Sequence, residues 1–429
     1  MDKKRYLPRI VDSLLLENLE AMGAVLIEGP KWCGKTWTGE YHSASALKLQ
    51  DVDNAEKYAL AIAAKPSILL KGKTPRLIDE WQDQPVLWNA VRCAVDDRGL
   101  PGQFILTGSA VPRVKDRKEE RNKLHTGTGR FAWLKMRPMS LFESGESNGT
   151  VSMKELFGGH CSEMSSSSLS LDDIAHLICR GGWPQSVRAK TRRASYIQAA
   201  NYVEAVINSD VKRADGFVRN KDRTRRVLQS LSRNISTLAT FETILGDVKS
   251  NDFTMSEKTL TAYIKALRDI FLVEDEPAWA PPMRAKLSMR VAAKRQFVDP
   301  SIAAAALNAT PDRLMKDFRA FGFLFESLCV RDVRIYSQPL DGEVRHYRDQ
   351  TGLEVDMIVV LKDGRWGGIE VKLGAGQIDE AAENLKKMRA KLDFNKMGQP
   401  SFLMVLTGID MCYTRTDGVI VCPIGCLRP

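Results

Sequence analysis

The chain has 429 residues, 44% hydrophobic and 27% charged, an ordinary balance for a globular protein of two to four domains. Its 63 Lys and Arg against 53 Asp and Glu give a formal net charge of +10, which favours an anionic partner, nucleic acid first and DNA before RNA. No apolar run reaches the length of a membrane span, the charged N-terminus lacks a signal-peptide pattern, and eight scattered cysteines suit a reduced compartment, so a cytoplasmic protein without membrane association is expected.

Residues 10–20 read as a helix, and 24–28 as a buried strand. Gly29-Pro30-Lys31-Trp32-Cys33-Gly34-Lys35-Thr36 follows, fitting G-x-x-x-x-G-K-[ST], and a helix is expected to start at Lys35. Strand, glycine-bounded loop and helix N-terminus form a cradle for phosphates, because backbone N–H groups and the helix dipole both face the anion. Lys35 is expected on the β- and γ-phosphates of ATP and Thr36 on Mg²⁺. Cys33, inside the loop, is expected to make the site sensitive to thiol reagents.

Residues 46–49 read as a second strand, 55–64 as a helix ended by Pro66, and 76–79 as a strand leading into Asp79-Glu80. Asp79 is expected to hold Mg²⁺, and Glu80 to orient or deprotonate the attacking water. A helix over 84–97 precedes a strand at 103–106 and then Thr107-Gly108-Ser109. Thr107, with Ser109 as the alternative, is expected to touch the γ-phosphate or the water. Alternating strands and helices imply a doubly wound parallel sheet. Basic runs occur at 115–123, 188–193, 212–226 and 284–295.

Residues 131–134 read as the last strand, closing an ATPase module over 1–143. The Ser- and Gly-rich stretch 144–170 reads as a flexible insertion. Residues 171–300 read as a helical region. Helices over 223–238, 241–248 and 256–271, then strands near 272–273 and 297–298 around a basic turn, suggest a winged helix with 259–268 as its recognition helix. Such modules serve nucleic acids and protein contacts alike.

Residues 301–429 read as a mixed α/β domain with a second set of charges. Glu326 falls on a helix over 321–333, Asp356 on the first strand of a hairpin, and Glu370-Val371-Lys372 on the second. Strand alternation puts Glu370 and Lys372 on one face. Glu326, Asp356 and Glu370 could converge on Mg²⁺ or Mn²⁺, with Lys372 stabilising a pentavalent phosphate. Acid, then E-x-K on the next strand, resembles the PD-(D/E)xK nuclease superfamily; a binding-only version of that fold is the alternative. Cys422 and Cys426 form a C-x-x-x-C pair that no histidine cluster completes into a zinc site.

Together these features resemble a group of prokaryotic AAA-type ATPases that join an N-terminal P-loop domain to a C-terminal domain of unknown function with a nuclease-like fold. The resemblance rests on Tyr6-Leu7-Pro8-Arg9, the phosphate loop, Leu77-Ile78-Asp79-Glu80, Leu106-Thr107-Gly108-Ser109, Gly129-Arg130 and the segment 138–143. Further on it rests on Arg180-Gly181-Gly182-Trp183-Pro184, Asp299-Pro300, Glu354-Val355-Asp356 and Ile369-Glu370-Val371-Lys372. It implies ATP, and Arg130 as a sensor or trans-acting arginine; Mg²⁺ as the second cofactor and a homo-oligomer are separate expectations. A nucleotide-driven signalling or defence switch is the competing role.

Overall fold

The computed structural model describes residues 6–110, 127–161, 164–210, 219–250, 252–280 and 292–429. The basic run at 115–123, the first part of 212–226 and most of 284–295 lie outside them. The chain forms two compact units, one from the residues up to Arg137 together with Ala266–Phe271, the other from Pro138–Ser209, Arg219–Lys265 and Leu272–Pro429. Among the described residues no helix is long and apolar enough to cross a membrane.

The first unit runs α1 (Val11–Ala21), β1 (Ala24–Glu28), α2 (Lys35–His42), β2 (Ser45–Lys48), α3 (Ala55–Ala64), β3 (Arg76–Asp79), α4 (Val86–Arg98), β4 (Phe104–Gly108) and β5 (Phe131–Lys135). The five strands pair in parallel, in the order β2-β3-β4-β1-β5. Parallel strands are covered on both faces, so they read as continuous apolar runs, as Ala24–Glu28 does. One face packs Leu26, Ile78 and Leu106 against Leu87, Trp88 and Val91 of α4. Trp88 also stacks on Phe131 with ring centroids 4.0 Å apart. Burying such side chains contributes roughly 1.5–3 kcal/mol each. Because β4 lies between β3 and β1, the ends of β1, β3 and β4 stand side by side, and the phosphate loop leaves β1 there.

The second unit contains β6 (Val151–Ser152), β7 (Met164–Ser166), α5 (Leu171–Arg180), α6 (Arg192–Ala205), α7 (Lys221–Arg233), α8 (Phe241–Lys249), α9 (Glu257–Asp269, whose last turn belongs to the first unit), α10 (Pro300–Ala306) and α11 (Phe318–Ser337). After them come β8 (Gly342–Arg348), β9 (Glu354–Leu361), β10 (Trp366–Lys372), α12 (Ile378–Ala390), β11 (Phe402–Thr407), β12 (Met411–Thr414), β13 (Ile420–Pro423) and β14 (Leu427–Arg428). A seven-stranded mixed sheet takes the order β7-β12-β13-β11-β10-β9-β8. Ala381, Ala382 and Leu385 of α12 cover it, packed in one core with Ile358 of β9, Trp366 of β10 and Val405 of β11.

Residues 144–170 are not the flexible insertion that their composition suggests. β7 is the edge strand of the seven-stranded sheet, with Cys412 opposite Ser165, and β6 pairs with β14. The serines act as caps and ties. Ser152 caps the helical turn Met153–Phe157, Ser170 forms a capping box with Asp173, and the Ser147 hydroxyl donates to the Leu427 carbonyl at 2.6 Å. Short hydroxyl side chains that read as linker composition therefore serve element ends.

Three motifs of the resemblance prove to be one buried polar knot. Arg331 lies 2.9 Å from Asp299 and 2.7 Å from Asp332. Asp332 accepts the Leu141 N–H at 2.9 Å, and Asp299 accepts the Gly182 N–H at 2.9 Å. A Cβ on Gly182 would sit 2.0 Å from the Met139 carbonyl oxygen, so only glycine admits that approach. The segments 138–143, 180–184 and 299–300 thus carry architecture.

The helices α7, α8 and α9 are followed by two antiparallel bridges, Val273 to Phe297 and Glu276 to Lys294. The turn between them lies outside the described residues. Ala278 then bridges in parallel to His346 of β8, so this segment is joined to the edge of the large sheet.

Candidate functional site

The phosphate loop begins where β1 ends. A Cβ on Gly29 would lie 2.0 Å from the Met136 carbonyl oxygen, and Gly34, at φ +109°, has the backbone only glycine adopts freely. Trp32 sits at φ +64° with its side chain 52% exposed at the loop tip. Arg9 clamps the loop from outside: its Nη1 donates to the Cys33 carbonyl at 2.7 Å and its Nη2 to the Arg137 carbonyl at 2.8 Å. In the sequence Arg9 stands out only within Tyr6-Leu7-Pro8-Arg9, which gives no sign of this clamp. Cys33 points inward, fully buried, with Sγ donating to the Met136 carbonyl at 3.6 Å. The expected sensitivity to thiol reagents therefore has no exposed thiol at position 33 to act on.

The Lys35 ammonium, 4% exposed, donates to the Pro30 carbonyl at 2.8 Å and so folds back over its own loop. Thr36 and Thr107 both donate to Asp79 Oδ1, at 2.8 and 2.6 Å. Burial pushes the Asp79 carboxyl up, and these two hydroxyls only partly offset it. Glu80 takes a left-handed backbone at φ +56°, and its N–H donates to Thr107 Oγ1 at 3.0 Å. The Glu80 carboxylate accepts from Ser109 Oγ at 2.6 Å and from the Gln82 amide. Thr107 thus fixes Asp79 and the Glu80 N–H, and Ser109 the Glu80 carboxylate, contacts other than those expected with the γ-phosphate or the water. Gln82 was not anticipated, because no motif includes it.

Arg130 does not join this group within the chain. Its carbonyl accepts the Ala24 N–H, at the start of β1, whereas the loop leaves from the other end. A five-residue strand, about 16 Å, separates the two ends. Its guanidinium pairs with Asp96 at 2.8 Å. A sensor role in its own site is excluded by that placement.

The second unit brings Glu326, Asp356, Glu370 and Lys372 together; Glu326, Asp356 and Lys372 line a cavity of about 700 Å³ with Lys294, and buried Glu370 lies behind it. The antiparallel register of β9 and β10 ends at Met357 opposite Ile369, so Asp356 and Glu370 come next on each strand. Lys372 Nζ lies 2.9 Å from Glu370 and 3.8 Å from Asp356. Asp356 Oδ2 also accepts the Val371 N–H at 2.9 Å. Unforeseen is Lys294, whose ammonium sits 2.8 Å from Glu326 and 3.0 Å from Asp356. Glu276 lies across the strand bridge from Lys294, fully buried, and among the described residues neither carboxyl oxygen has a hydrogen-bond partner.

Burial raises every carboxyl here, and the neighbours decide the outcome. Asp356 is nonetheless held down, to about 2, by Lys294 and Lys372. Glu370 is pushed up to about 9 by burial and by Asp356, and Glu326 to about 8 chiefly by burial. Burial alone would lower Lys294, but Asp356, Glu326 and Glu276 hold it well above its ordinary value.

Among the described residues no group of three acidic, histidine or cysteine side chains is arranged to hold a metal ion. The acids expected as ligands converge, but an ammonium stands between two of them. The basic run at 284–295 also changes meaning. Lys294 and Arg295 are 3% and 7% exposed, and Arg295 pairs with Asp275, so these members form no open basic surface. In the other runs Arg192 pairs with Asp172, Arg223 with Asp252 and Arg225 with Glu204.

An AAA domain model matches residues 22–144, spanning the loop and both strand acids. Two domains of unknown function match further on, DUF8612 over 171–313 and DUF4143 over 321–427. No curated protein matches. Among solved structures, a Walker-type ATPase of Pyrococcus abyssi is 13% identical, covering 71% of this chain and 97% of its own, with a TM-score of 0.44. The ORC2 protein of Aeropyrum pernix, in ADPNP and ADP complexes, is 11% identical over 77% of this chain and 92% of its own, at 0.32. The replication initiator DnaA bound to AMPPCP and single-stranded DNA is 13% identical over 62% and 91%, at 0.28. The chain carries an AAA domain on a parallel sheet with a phosphate loop, and it is an ATPase.

Proposed function

We propose that this ATPase works on nucleic acid, DNA foremost, from the cytoplasm and as a homo-oligomer, with Lys35, Thr36, Asp79, Glu80 and Thr107 as its hydrolytic set. The observation that carries the hydrolytic part is the meeting of Thr36, Thr107 and Asp79 on one carboxylate oxygen, with Glu80 alongside. Thr36 and Asp79 would hold Mg²⁺, which neutralises charge on the β- and γ-phosphates. The loop from Gly29 through Pro30, Lys31, Trp32, Cys33 and Gly34 supplies backbone donors to the phosphates. Lys35 exchanges the Pro30 carbonyl for phosphate oxygens. Glu80 accepts a proton from the attacking water once Ser109 and Gln82 yield it. Arg130, half-buried just before β5, would serve a neighbouring copy's site only by leaving its pair with Asp96.

The nucleic-acid part rests on the net charge of +10 and on the three helices followed by antiparallel bridges, a layout compatible with a winged helix. ATP turnover measured with and without single- and double-stranded DNA or RNA tests it. Stimulation by DNA is the expected result. Nucleotide-dependent assembly with no nucleic-acid effect would instead favour the signalling or defence switch. A nuclease-like second unit is the further reading, supported by Asp356, Glu370 and Lys372 meeting on one face. As found, that cluster holds an ammonium where a ligand set would close, so no cleavage step is assigned to it.

A further inference from the structure

Lys294 is the member of the acid cluster that no motif predicts, and its position is informative. We propose that the Lys294 ammonium is an internal stand-in for a divalent cation: it fills the point between Glu326 and Asp356, keeps the cluster latent, and must withdraw before the acids can take a metal ion. This rests on reading Glu326, Asp356 and Glu370 as a cation-type acid set.

Three observations carry it. Nζ lies 2.8 Å from Glu326 Oε1 and 3.0 Å from Asp356 Oδ1, with the side chain 4% exposed. A Mg²⁺ or Mn²⁺ ion bound to those oxygens would stand about 2.0–2.2 Å from each, in the space the ammonium fills. Two cations cannot share it. Second, the carboxyls of Glu276, Glu326, Asp356 and Glu370 gather around the ammoniums of Lys294 and Lys372, with the Arg334 guanidinium also acting on Glu276. Glu276, fully buried with both oxygens unpartnered among the described residues, marks a place where further positive charge would be satisfied. A buried carboxyl without a partner is costly to ionise, so Glu276 is the group that an added cation would relieve. Third, the Lys294 side chain borders the cavity of about 700 Å³, while its backbone N–H and carbonyl stay paired with Glu276. On this proposal the ammonium withdraws into that space by a change of side-chain rotamer.

The test uses the full chain without nucleotide and Mn²⁺ as the probe, read by calorimetry and by loss of the free-ion paramagnetic signal. Lys294→Gln, which keeps length and donors but not charge, and Lys294→Met are compared with wild type, each alone and with Asp356→Asn. The expected result is Mn²⁺ binding at least tenfold tighter in both Lys294 variants, removed by Asp356→Asn. If wild type binds Mn²⁺ through Asp356 as tightly as the variants, the stand-in is overturned while the acid set remains a cation site. If folded Lys294 variants show no Asp356-dependent binding, the cation reading itself falls. A second measurement needs no substitution. In wild type, saturating Mn²⁺ should raise amine labelling of Lys294, because the displaced ammonium becomes exposed. Unchanged protection of Lys294 at saturation of an Asp356-dependent site overturns the proposal.

Discussion

The Thr107 hydroxyl donates to Asp79 Oδ1 at 2.6 Å and accepts the Glu80 N–H at 3.0 Å, so one side chain of β4 positions both acids at the end of β3. Thr107→Val keeps the shape and removes both bonds. It leaves the Glu80 N–H without its partner and should cost about 1–3 kcal/mol of stability. Turnover should fall roughly tenfold, a 1.4 kcal/mol effect on the barrier, with nucleotide affinity changed less. Thermal melting and steady-state ATPase kinetics check the two parts. Turnover equal to wild type would remove Thr107 from the catalytic set.

Glu80 and Lys35 should separate chemistry from binding. Glu80→Gln keeps the nucleotide and should lower kcat by about 100-fold or more, because the amide takes no proton from water. Lys35→Ala should lose most nucleotide affinity, since Lys35 is the cation placed to reach the β- and γ-phosphates. Trp32, exposed at the loop tip, offers an intrinsic fluorescence reporter for both titrations. A Glu80→Gln protein that turns over at the wild-type rate would refute the assignment.

Thiol chemistry should bypass the loop. Cys33 is fully buried and Cys93 is exposed on α4, so a water-soluble disulfide reagent should label Cys93 first. ATPase activity should survive that first labelling. Peptide mapping of the modified thiols, set beside residual activity, reads both, and early modification of Cys33 would contradict its burial.

If the positive charge serves DNA, affinity should drop steeply between low and physiological salt through counterion release. Charge reversal at Lys265 and Arg268 of α9 should weaken binding and flatten the salt slope. Fluorescence anisotropy with a labelled duplex measures both. Affinity insensitive to salt would count against the nucleic-acid reading and leave α7, α8 and α9 as a protein-contact module.

Two histidines set a pH dependence of stability. Burial lowers His346 to about 4, and lowers half-buried His176, hydrogen-bonded to Tyr196 at 2.7 Å, to about 4 as well. Both are lowered from an ordinary value near 6.5, so the unfolded chain binds more protons in between. Their contribution is full above about pH 6.5 and is lost as pH falls toward 4. The melting temperature should drop by a few degrees from pH 7 to pH 5, and the drop should shrink in His176→Gln. A melting temperature independent of pH in that window would show that neither ring is held neutral.

What the sequence determined by itself is what lies close along the chain. The phosphate loop is eight contiguous residues, and its strand and helix flanks were legible because apolar runs and glycines declare them locally. Asp79-Glu80 and Thr107-Gly108-Ser109 were legible as strand ends, and Glu370 and Lys372 share a face through simple alternation. Tertiary structure alone decided the rest. Cys33 is inaccessible because the loop curls its thiol toward Met136, more than a hundred residues away. Arg130 is removed from the site because parallel pairing puts it at the wrong end of β5. Serines that look like linker cap helices and join a sheet edge, since a hydroxyl near a chain end is read only by the N–H group it meets. Lys294 belongs to a basic run by sequence and to a carboxylate cluster by structure. The ion pair that decides its role spans 62 residues to Asp356, and no local pattern encodes a contact made only when two distant strands meet.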